Sequence, residues 1–588
     1  MASQPQSGGA HPSRWRRLLQ VVLGLLGLLL LGYLAVFSYR FAQIQLGPFA
    51  PLAAILIVSL LLAIIGPLLL VRYHRVLWAG LARGAQRLGA LLAATGLPQG
   101  FSHRFPRFSR FLVARFTPGS PVGLALTAWV VVGLLALEQV IELSIEATSG
   151  TGVPALDRRI EHLVAIMRTP ELDQLFYAVT WLGSLPVVAA LADAGLLLAL
   201  LARRWREALL LPLVAALSWL SVEGLKYVFA RHRPPLADAR ILETGFSFPS
   251  THATVSAAFY GVAAYFLIRG LRRDSAKILV GILAALLVLL VGVSRGYLGV
   301  HFPSDVLAGW MLGLLWFALV VIADHLWQGK RALAGERAPA AGPTRYLRYA
   351  GSAVIALLAL AYTAAFVGVT AGTLPPQPQP QPIPPVVIAP DAVPSTVEQQ
   401  LPHYTEGLTG VRQEPVSFVF VGTQAQLEAA FQAAGWTKAE PFSFRAVTDG
   451  INAVLTHHSA PTGPVTPSFL AEQPNALAFS LPIGTTFAER HHIRIWSTDV
   501  QTSAGQPLWL ATASFDKGFE LAPSTGLPTH QIDPDIDAER AFVVTSLAGS
   551  GLVQSAQSIQ LVSPESGFNF DGDPYHTDGQ TIILDLTV

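Results

Sequence analysis

Long runs of apolar residues, bounded by charged or turn-forming residues, dominate the first two-thirds of the chain. A helix needs about 20 apolar residues to cross the hydrocarbon core of a bilayer, so the pattern predicts a polytopic membrane protein. Segments of suitable length lie near 18–38, 49–71, 122–145, 178–202, 207–229, 252–270, 277–296, 304–326 and 348–372.

The pattern changes after the last apolar run. Eight prolines lie between residues 375 and 390, which predicts a polyproline spacer because proline cannot join a helix or a central strand. At about 3.1 Å per residue we expect this spacer to hold the C-terminal residues on the order of 50 Å from the membrane. From Thr396 to Val588, strand-like runs ("VSFVFVG", "LWLATASFD", "TIILDLTV") mix with helix-like ones ("QAQLEAAFQAAGW", "DAERAFVVTSL"). The sequence therefore predicts a soluble α+β domain at the C-terminus.

Composition and charge agree with a membrane-embedded part followed by a part that lies in water. The chain is 52% hydrophobic and 13% charged, and it contains no cysteine, which excludes disulfides and thiolate metal sites. Residues from Thr396 onward hold 20 acids and 7 Lys or Arg, against 17 acids and 32 Lys or Arg before them. Basic residues cluster in alternate loops, which places the N-terminus in the cytoplasm by the positive-inside rule. The same rule places the C-terminal domain outside, and we interpret the first apolar run as a retained anchor rather than a signal peptide.

Charged residues collect at the outer ends of the later spans, where charge is costly. "KYVFARHRP" carries Lys226 and Arg233, which two turns of continuous helix would place on one face. "FPSTHAT" places His252 at a helix start, where free N–H groups favour an anion. "SRGYLGVHFPSD" adds Arg295 and His301, followed by a carboxylate and by a proline suited to the first turn of a helix. Cations, histidines and amides on one membrane face predict a phosphate site.

These three motifs, Lys-x6-Arg-Pro, Pro-Ser-x-His and Ser-Arg-x5-His-x3-Asp, resemble those of the type 2 phosphatidic acid phosphatase superfamily, which also includes vanadium haloperoxidases. The resemblance implies an all-α six-helix bundle over residues 122–326, and the other apolar runs predict about three extra transmembrane helices outside it. Thr251 stands where the family pattern has glycine. We interpret Thr251 as supplying a backbone N–H, without a positive φ.

The resemblance also implies roles. His301 would attack phosphorus, Asp305 would hold its other ring nitrogen, and His252 would protonate the leaving alkoxide. No metal or other cofactor is expected, because cations take the place of Mg²⁺. The phosphoryl oxygens would be held by Lys226, Arg233, Ser250, Thr251 and Arg295. We interpret Arg231 and His232 as interface residues outside the site.

The sequence thus predicts a metal-independent phosphatase that hydrolyses a lipid phosphate or diphosphate at the outer face of a bacterial inner membrane. Its partners would be the lipid substrate and membrane lipid, with no nucleic acid. Two alternatives stay open: a phosphotransferase using the same phosphohistidine, and a tethered binding module with a vestigial site. A haloperoxidase fits less well, because a diffusible halide gives no reason for so many spans.

The C-terminal domain resembles the LssY C-terminal domain through "ERHHIRIW" and "THQIDPDIDAER". Its polar residues are possible divalent-cation ligands, although Asp537 is equally explained as a helix N-cap. We predict that this domain recognises a periplasmic partner and that truncation after Thr373 leaves hydrolysis within a few-fold. The candidate ligands are His491, His492, His530, Asp533, Asp535 and Asp537. The predicted organisation is a two-span anchor with a basic cytoplasmic loop (1–121), a phosphatase core (122–326), a loop and ninth span (327–373), a linker (374–395) and the C-terminal domain (396–588).

Overall fold

The structure is a computed structural model, and it divides into a helical bundle and a mixed α/β region. The segments 18–38 and 49–71, predicted as the first two spans, lie outside the described residues. The described residues are 104–107, 123–148, 153–333, 345–379, 384–443, 463, 465–483, 489–521, 528–569 and 572–586.

The bundle contains nine helices within residues 123–371 of the described chain. Six are long and apolar enough to cross a membrane, and a seventh span is formed if the bent pair around Ser184 is counted as one. All seven predicted spans that fall on described residues are therefore helical, and the protein is a multi-pass membrane protein. The helices are α1 Leu124–Thr148, α2 Val153–Ile166, α3 Pro170–Thr180, α4 Leu185–Leu201, α5 Trp205–Phe229, α6 Thr251–Gly270, α7 Asp274–Tyr297, α8 Pro303–Leu333 and α9 Arg345–Ala371.

Helices α6 and α8 pack closely because α8 presents glycine to its neighbour. A Cβ at Gly309 would lie 2.8 Å from the Ser250 carbonyl oxygen, and one at Gly313 would lie 2.6 Å from that of Thr254. Small residues four apart allow this backbone contact between membrane helices. The packing fixes the N-terminus of α6 against the N-terminus of α8, where two of the three motifs lie.

The C-terminal region is an α+β domain, as its sequence pattern predicts. Three helices, α10 Val393–Gln400, α11 Gln424–Ala433 and α12 Ile536–Gly549, accompany the strands. The strands are β1 Val386–Ile388, β2 Tyr404–Glu406, β3 Arg412–Pro415, β4 Phe418–Val421, β5 Thr437–Lys438, β6 Phe469–Leu470, β7 Gln473–Pro474, β8 Leu477–Pro482, β9 Glu489–Thr502, β10 Pro507–Leu521, β11 Pro528–Ile532, β12 Val553–Gln560, β13 Glu565–Phe568, β14 Pro574–Thr577 and β15 Gln580–Leu586.

One mixed sheet organises this domain, with the main strand order β12-β15-β4-β10-β9-β8-β5. Strand β4 is parallel to β15 and antiparallel to β10. Its sequence Phe-Val-Phe-Val is buried throughout, because both faces of the sheet are covered. Phe418 and Phe420 pack with α11 and α12, whereas Val419 and Val421 pack with α10 on the other face. A strand buried on both faces accounts for a continuous apolar run in place of alternation.

The predicted spacer does not hold this domain away from the bundle. The Pro375 carbonyl accepts a 2.8 Å hydrogen bond from Arg240 of the bundle, and β1, inside the predicted linker, pairs with β9. The domain also contacts α2 directly, through an apolar cluster that joins Leu163 to Phe469. The expectation of a 50 Å separation is therefore wrong, because the proline-rich chain is anchored at both of its ends.

Candidate active site

The N-terminus of α6 is built as the sequence predicts. Ser250 is the N-cap residue and Thr251 is the first helical residue, so backbone N–H groups of the first turn are left without helical acceptors. Thr251 is not among the residues with positive φ, so the replacement of glycine by threonine causes no backbone strain here. The Ser250 hydroxyl is buried and has no hydrogen-bond partner among the described residues.

Lys226 and Arg233 line the same cavity, but they do not lie on one continuous helix as the sequence pattern predicted. Helix α5 ends at Phe229, and Ala230 takes the left-handed conformation with φ 45°. Arg233 therefore lies on an extended segment, not on a continued helix. Its Nη1 donates to the Val300 carbonyl at 2.6 Å, and its Nε donates to the Gly245 carbonyl at 3.1 Å. These bonds to two loops fix the guanidinium beside His301.

His301 and Asp305 form a buried pair around the start of α8, which begins at Pro303 as predicted. The His301 Nδ1 lies 3.4 Å from Asp305 Oδ2, and the opposite ring nitrogen, Nε2, lies 3.3 Å from Arg233 Nη1. Asp305 Oδ2 also accepts the Phe302 backbone N–H at 2.9 Å. Burial, and then the positive charges of Arg233 and Arg295, hold the pKa of His301 well below its ordinary value. The imidazole is therefore neutral at neutral pH, as a nucleophile requires.

Glu243 is a site residue that the sequence reasoning missed. Its carboxylate contacts Arg295 Nη2, lies 2.9 Å from Arg233 Nη1 and lies 4.0 Å from His301 Nε2. Burial favours the neutral acid, but the positive charges of Arg295 and Arg233 outweigh it and hold the pKa of Glu243 below its usual range. An ionised carboxylate thus sits between the cations. The only signal in the sequence was an acid in the connection just before the second motif.

A cavity of about 290 Å³ opens beside these groups. Lys226, Arg233, Thr251, His252 and His301 line it, whereas the other three predicted site residues lie behind this lining. Arg295 is buried behind Glu243 and donates to Thr180 Oγ1 at 2.8 Å, and Asp305 lies behind His301. The remaining lining residues are Gly183, Leu185, Trp219, Glu223, Glu243, Thr244 and Val255. The predicted residues are therefore brought to one place, in two layers.

Arg231 is not the interface residue that the sequence analysis assumed. Its Nη1 donates to Asp305 Oδ1 at 2.6 Å and to Ser304 Oγ at 2.8 Å, and its Nη2 donates to Asp157 Oδ2 at 2.8 Å. The side chain points inward because α5 has already ended and the chain turns across the start of α8. In the sequence, the position of Arg231 between Lys226 and Arg233 of the first motif was the feature that could have indicated its place in the site. His232, by contrast, is exposed as expected.

The candidate cation ligands of the C-terminal domain do not converge. Within the described residues, no three His, Asp or Glu side chains are arranged to hold a metal ion. His491 Nδ1 is 2.7 Å from Glu539, and His492 faces Asp516 at 3.2 Å. The side chain of His530 lies outside the described part.

The helix cap in this motif is Asp535, one acid earlier than predicted. Asp535 Oδ1 accepts the Ala538 N–H at 3.0 Å, and this hydrogen bond caps α12. Asp537, which the sequence pattern also allows as the cap, instead accepts a hydrogen bond from Arg540 at 2.7 Å. Either Asp535 or Asp537 could cap a helix in this sequence. The observed start of α12 at Ile536 makes Asp535 the N-cap.

Fold and site together define a multi-pass membrane protein whose helical bundle gathers cations, two histidines and a buried carboxylate facing His301 around one cavity. The chain belongs to the PAP2 superfamily. The model of the PAP2 superfamily matches residues 207–328, and the model of the LssY C-terminus family matches residues 398–581.

Phosphatidylglycerophosphatase B of Bacillus subtilis (strain 168) is 39% identical over 173 residues, which are 29% of this chain and 83% of that protein. A solved structure described as the first transmembrane PAP2 type phosphatidylglycerolphosphate phosphatase from Bacillus subtilis is 34% identical. It aligns with 33% of this chain and 96% of its own, with a TM-score of 0.31.

Proposed function

We propose that the protein is a membrane phosphatase that removes phosphate from a lipid phosphate or diphosphate through a phosphohistidine. The observation that carries this proposal is the geometry of His301, whose Nδ1 faces the buried Asp305 while its Nε2 lies beside Arg233 at the cavity. A ring oriented in this way presents one nitrogen as a nucleophile and keeps the proton on the other.

The reaction then has two balanced steps. His301 Nε2 attacks phosphorus, the bond from phosphorus to the alkoxide oxygen breaks, and His252 gives that oxygen a proton. Water next attacks the phosphohistidine, His252 takes a proton from it, and the N–P bond breaks to release phosphate. Lys226, Arg233 and the first amides of α6 stabilise the charge on the phosphoryl oxygens.

A lipid substrate suits the walls of the cavity. Leu185 and Trp219 line the cavity and are also partly exposed, with 49% and 36% of their surfaces accessible. Acyl chains in the bilayer can therefore contact residues that continue into the cation-lined site. The Bacillus subtilis relative is named for phosphatidylglycerophosphate, so this lipid heads the substrate panel, followed by phosphatidate and a polyprenyl diphosphate.

Phosphate release from the detergent-solubilised protein tests the proposal. His301→Ala and His252→Ala should each lower release by more than 100-fold without changing the yield of folded protein. His232→Ala is the matched control and should retain full activity, because that side chain is exposed outside the cavity. Unchanged turnover in His301→Ala would reject the phosphohistidine. Phosphorylated alcohol formed in preference to free phosphate would favour the phosphotransferase.

The proposed topology places the N-terminus in the cytoplasm and both the cavity and the C-terminal domain in the periplasm of the inner membrane, as the loop charges predict. A partner in that compartment can then reach the surface of the C-terminal domain that does not face the bundle. Because the chain contains no cysteine, single cysteines placed at Ser395 and Arg273 give a clean labelling test. An impermeant thiol reagent should label the first in intact spheroplasts and the second only after lysis. The reverse pattern would overturn the topology.

A further inference from the structure

Helix α2 is held between the membrane bundle and the C-terminal domain. Its Ile160 and Leu163 are buried in a cluster with Leu408, Phe442 and Phe469 of the C-terminal domain. Buried apolar contacts of this kind stabilise an association by about 25 cal/mol per Å² of apolar surface removed from water. The domain is therefore docked on α2, not merely tethered nearby.

Two arginines of α2 add ion pairs to this contact. Arg158 binds both carboxylate oxygens of Glu472, with its Nη2 at 2.6 Å from Oε1, and Arg159 pairs with Glu406. Arg159 is almost fully buried, and its guanidinium leaves no room for a Cβ at Gly410. Bidentate arginine–carboxylate pairs fix orientation as well as adding affinity.

The turn that carries Glu472 is in an unfavourable conformation. Ala471 and Glu472 join β6 to β7 and have φ values of 46° and 71°. Two successive left-handed residues suit Asn-Gly, and other residues adopt this conformation at a cost of about 1–2 kcal/mol each. Glu472 is therefore kept at a strained position, from which its carboxylate reaches Arg158.

Asp157, on a neighbouring face of α2, contacts the catalytic end of the bundle. Asp157 is buried, accepts the Ser304 N–H at 3.0 Å and also binds the Ser304 hydroxyl. It accepts a 2.8 Å hydrogen bond from Arg231, whose other nitrogen holds Asp305 at 2.6 Å. A displacement of α2 would therefore move the groups that hold Asp305 against His301.

From these contacts we propose that the C-terminal domain clamps α2, and that Asp157 and Arg231 are positioning residues that hold the His301–Asp305 pair for catalysis. The proposal deepens the proposed phosphatase function and rests on it. It replaces the expectation that the C-terminal domain is dispensable. A small shift in a catalytic geometry lowers the rate of the chemical step more than it lowers substrate binding.

A charge swap in the full-length protein tests the clamp. Glu472→Arg places two cations together, and it should lower kcat by tenfold or more while KM stays within about twofold. The double variant Arg158→Glu with Glu472→Arg restores the opposite charges and should recover kcat to within about threefold. Glu428→Arg is the matched control, since Glu428 pairs with Lys438 on the same domain without contacting α2. It should leave kcat unchanged.

Hydrogen exchange of residues 153–166 separates docking from catalysis. The amides of α2 should exchange faster in Glu472→Arg than in the wild type, and the double variant should restore their protection. Unchanged exchange would show that the domain is not docked through this pair and would overturn the proposal. Faster exchange with unchanged kcat would overturn the positioning role. A wild-type protein that releases no phosphate from any substrate rejects the phosphatase itself, while the exchange data still report on docking.

Asp157→Asn provides a second readout closer to the site. The amide keeps the size of the side chain but loses the charge that orients Arg231, so kcat should fall by about tenfold with little change in KM. Asp157→Glu, which keeps the charge, should recover part of this loss. Equal losses in both variants would indicate packing alone and would contradict the positioning role.

Discussion

The carboxylate of Glu243 contacts two of the arginines, Arg233 and Arg295, that are proposed to bind the phosphoryl oxygens of the substrate. This carboxylate contacts Arg295, lies 2.9 Å from Arg233 and is 4.0 Å from His301 Nε2. The carboxylate therefore competes with any anion that binds there. We predict that Glu243→Gln, which keeps the shape and removes the charge, makes the site bind tetrahedral oxyanions more tightly.

The size of the effect depends on the contacts that the carboxylate gives up. A hydrogen bond to a charged group contributes about 1.5–3 kcal/mol net, and every 1.4 kcal/mol is about tenfold in affinity. Release of the Arg233 contact alone should thus tighten binding by about 10- to 100-fold. The Arg295 contact adds little more, because that guanidinium lies behind the cavity lining and is also held by Thr180.

The assay is the inhibition constant of orthovanadate, together with product inhibition by phosphate, at fixed ionic strength. The matched control is Glu223→Gln, because Glu223 also lines the cavity but lies 3.7 Å from Lys226 Nζ. This longer pair should give a gain of less than about fivefold. Vanadate binding that is unchanged or weaker in Glu243→Gln would show that the carboxylate supports the cations and does not compete with substrate.

Three further predictions concern packing, pH and a helix cap. Gly309→Ala should destabilise the bundle by about 1–3 kcal/mol and lower kcat, because the added Cβ would lie 2.8 Å from the Ser250 carbonyl oxygen. Thermal unfolding and turnover assays measure both effects. The control Gly281→Ala should change neither stability nor kcat, because the nearest atom to its added Cβ is 3.9 Å away. Burial, and then the negative charge of Asp238, raises the pKa of Glu161 to about 9 from 4.5. The folded protein therefore retains a proton that the unfolded chain loses, and stability should fall as pH rises from about 4.5 to 9. Glu161→Gln should remove this slope and stabilise by up to about 3 kcal/mol at pH 7; a wild-type melting temperature that is flat over this range would contradict the assignment. Asp535→Ala should cost about 1 kcal/mol in chemical unfolding of the C-terminal domain, because it removes the cap of α12, and an unchanged midpoint would refute that role.

Local sequence patterns were sufficient to predict the seven spans that lie on described residues, the α+β class of the C-terminal domain and the positions of the three motifs. These features are local: a hydrophobic run long enough for a bilayer predicts a helix wherever it packs, and Pro303 and Ser250 mark helix starts through their own backbone chemistry. The short spacing within each motif likewise restricts where its side chains can lie. For that reason the residues predicted at the cavity were brought together in the structure.

Which other groups face these motifs depends on the packing of segments that are far apart in the sequence. Asp157 lies 148 residues before Asp305, and both hold Arg231 because α2 crosses the start of α8. Glu243 reaches Arg295 from a loop with no regular period, and Glu472 reaches Arg158 from a separate domain. Contacts between residues far apart in the sequence depend on the direction that the chain takes after each helix ends, as it does at Ala230. The periodicity of apolar residues within a helix does not indicate that direction. The docking of the C-terminal domain was missed for the same reason: the composition of a proline-rich segment sets its stiffness, but the anchors at its ends decide where it leads.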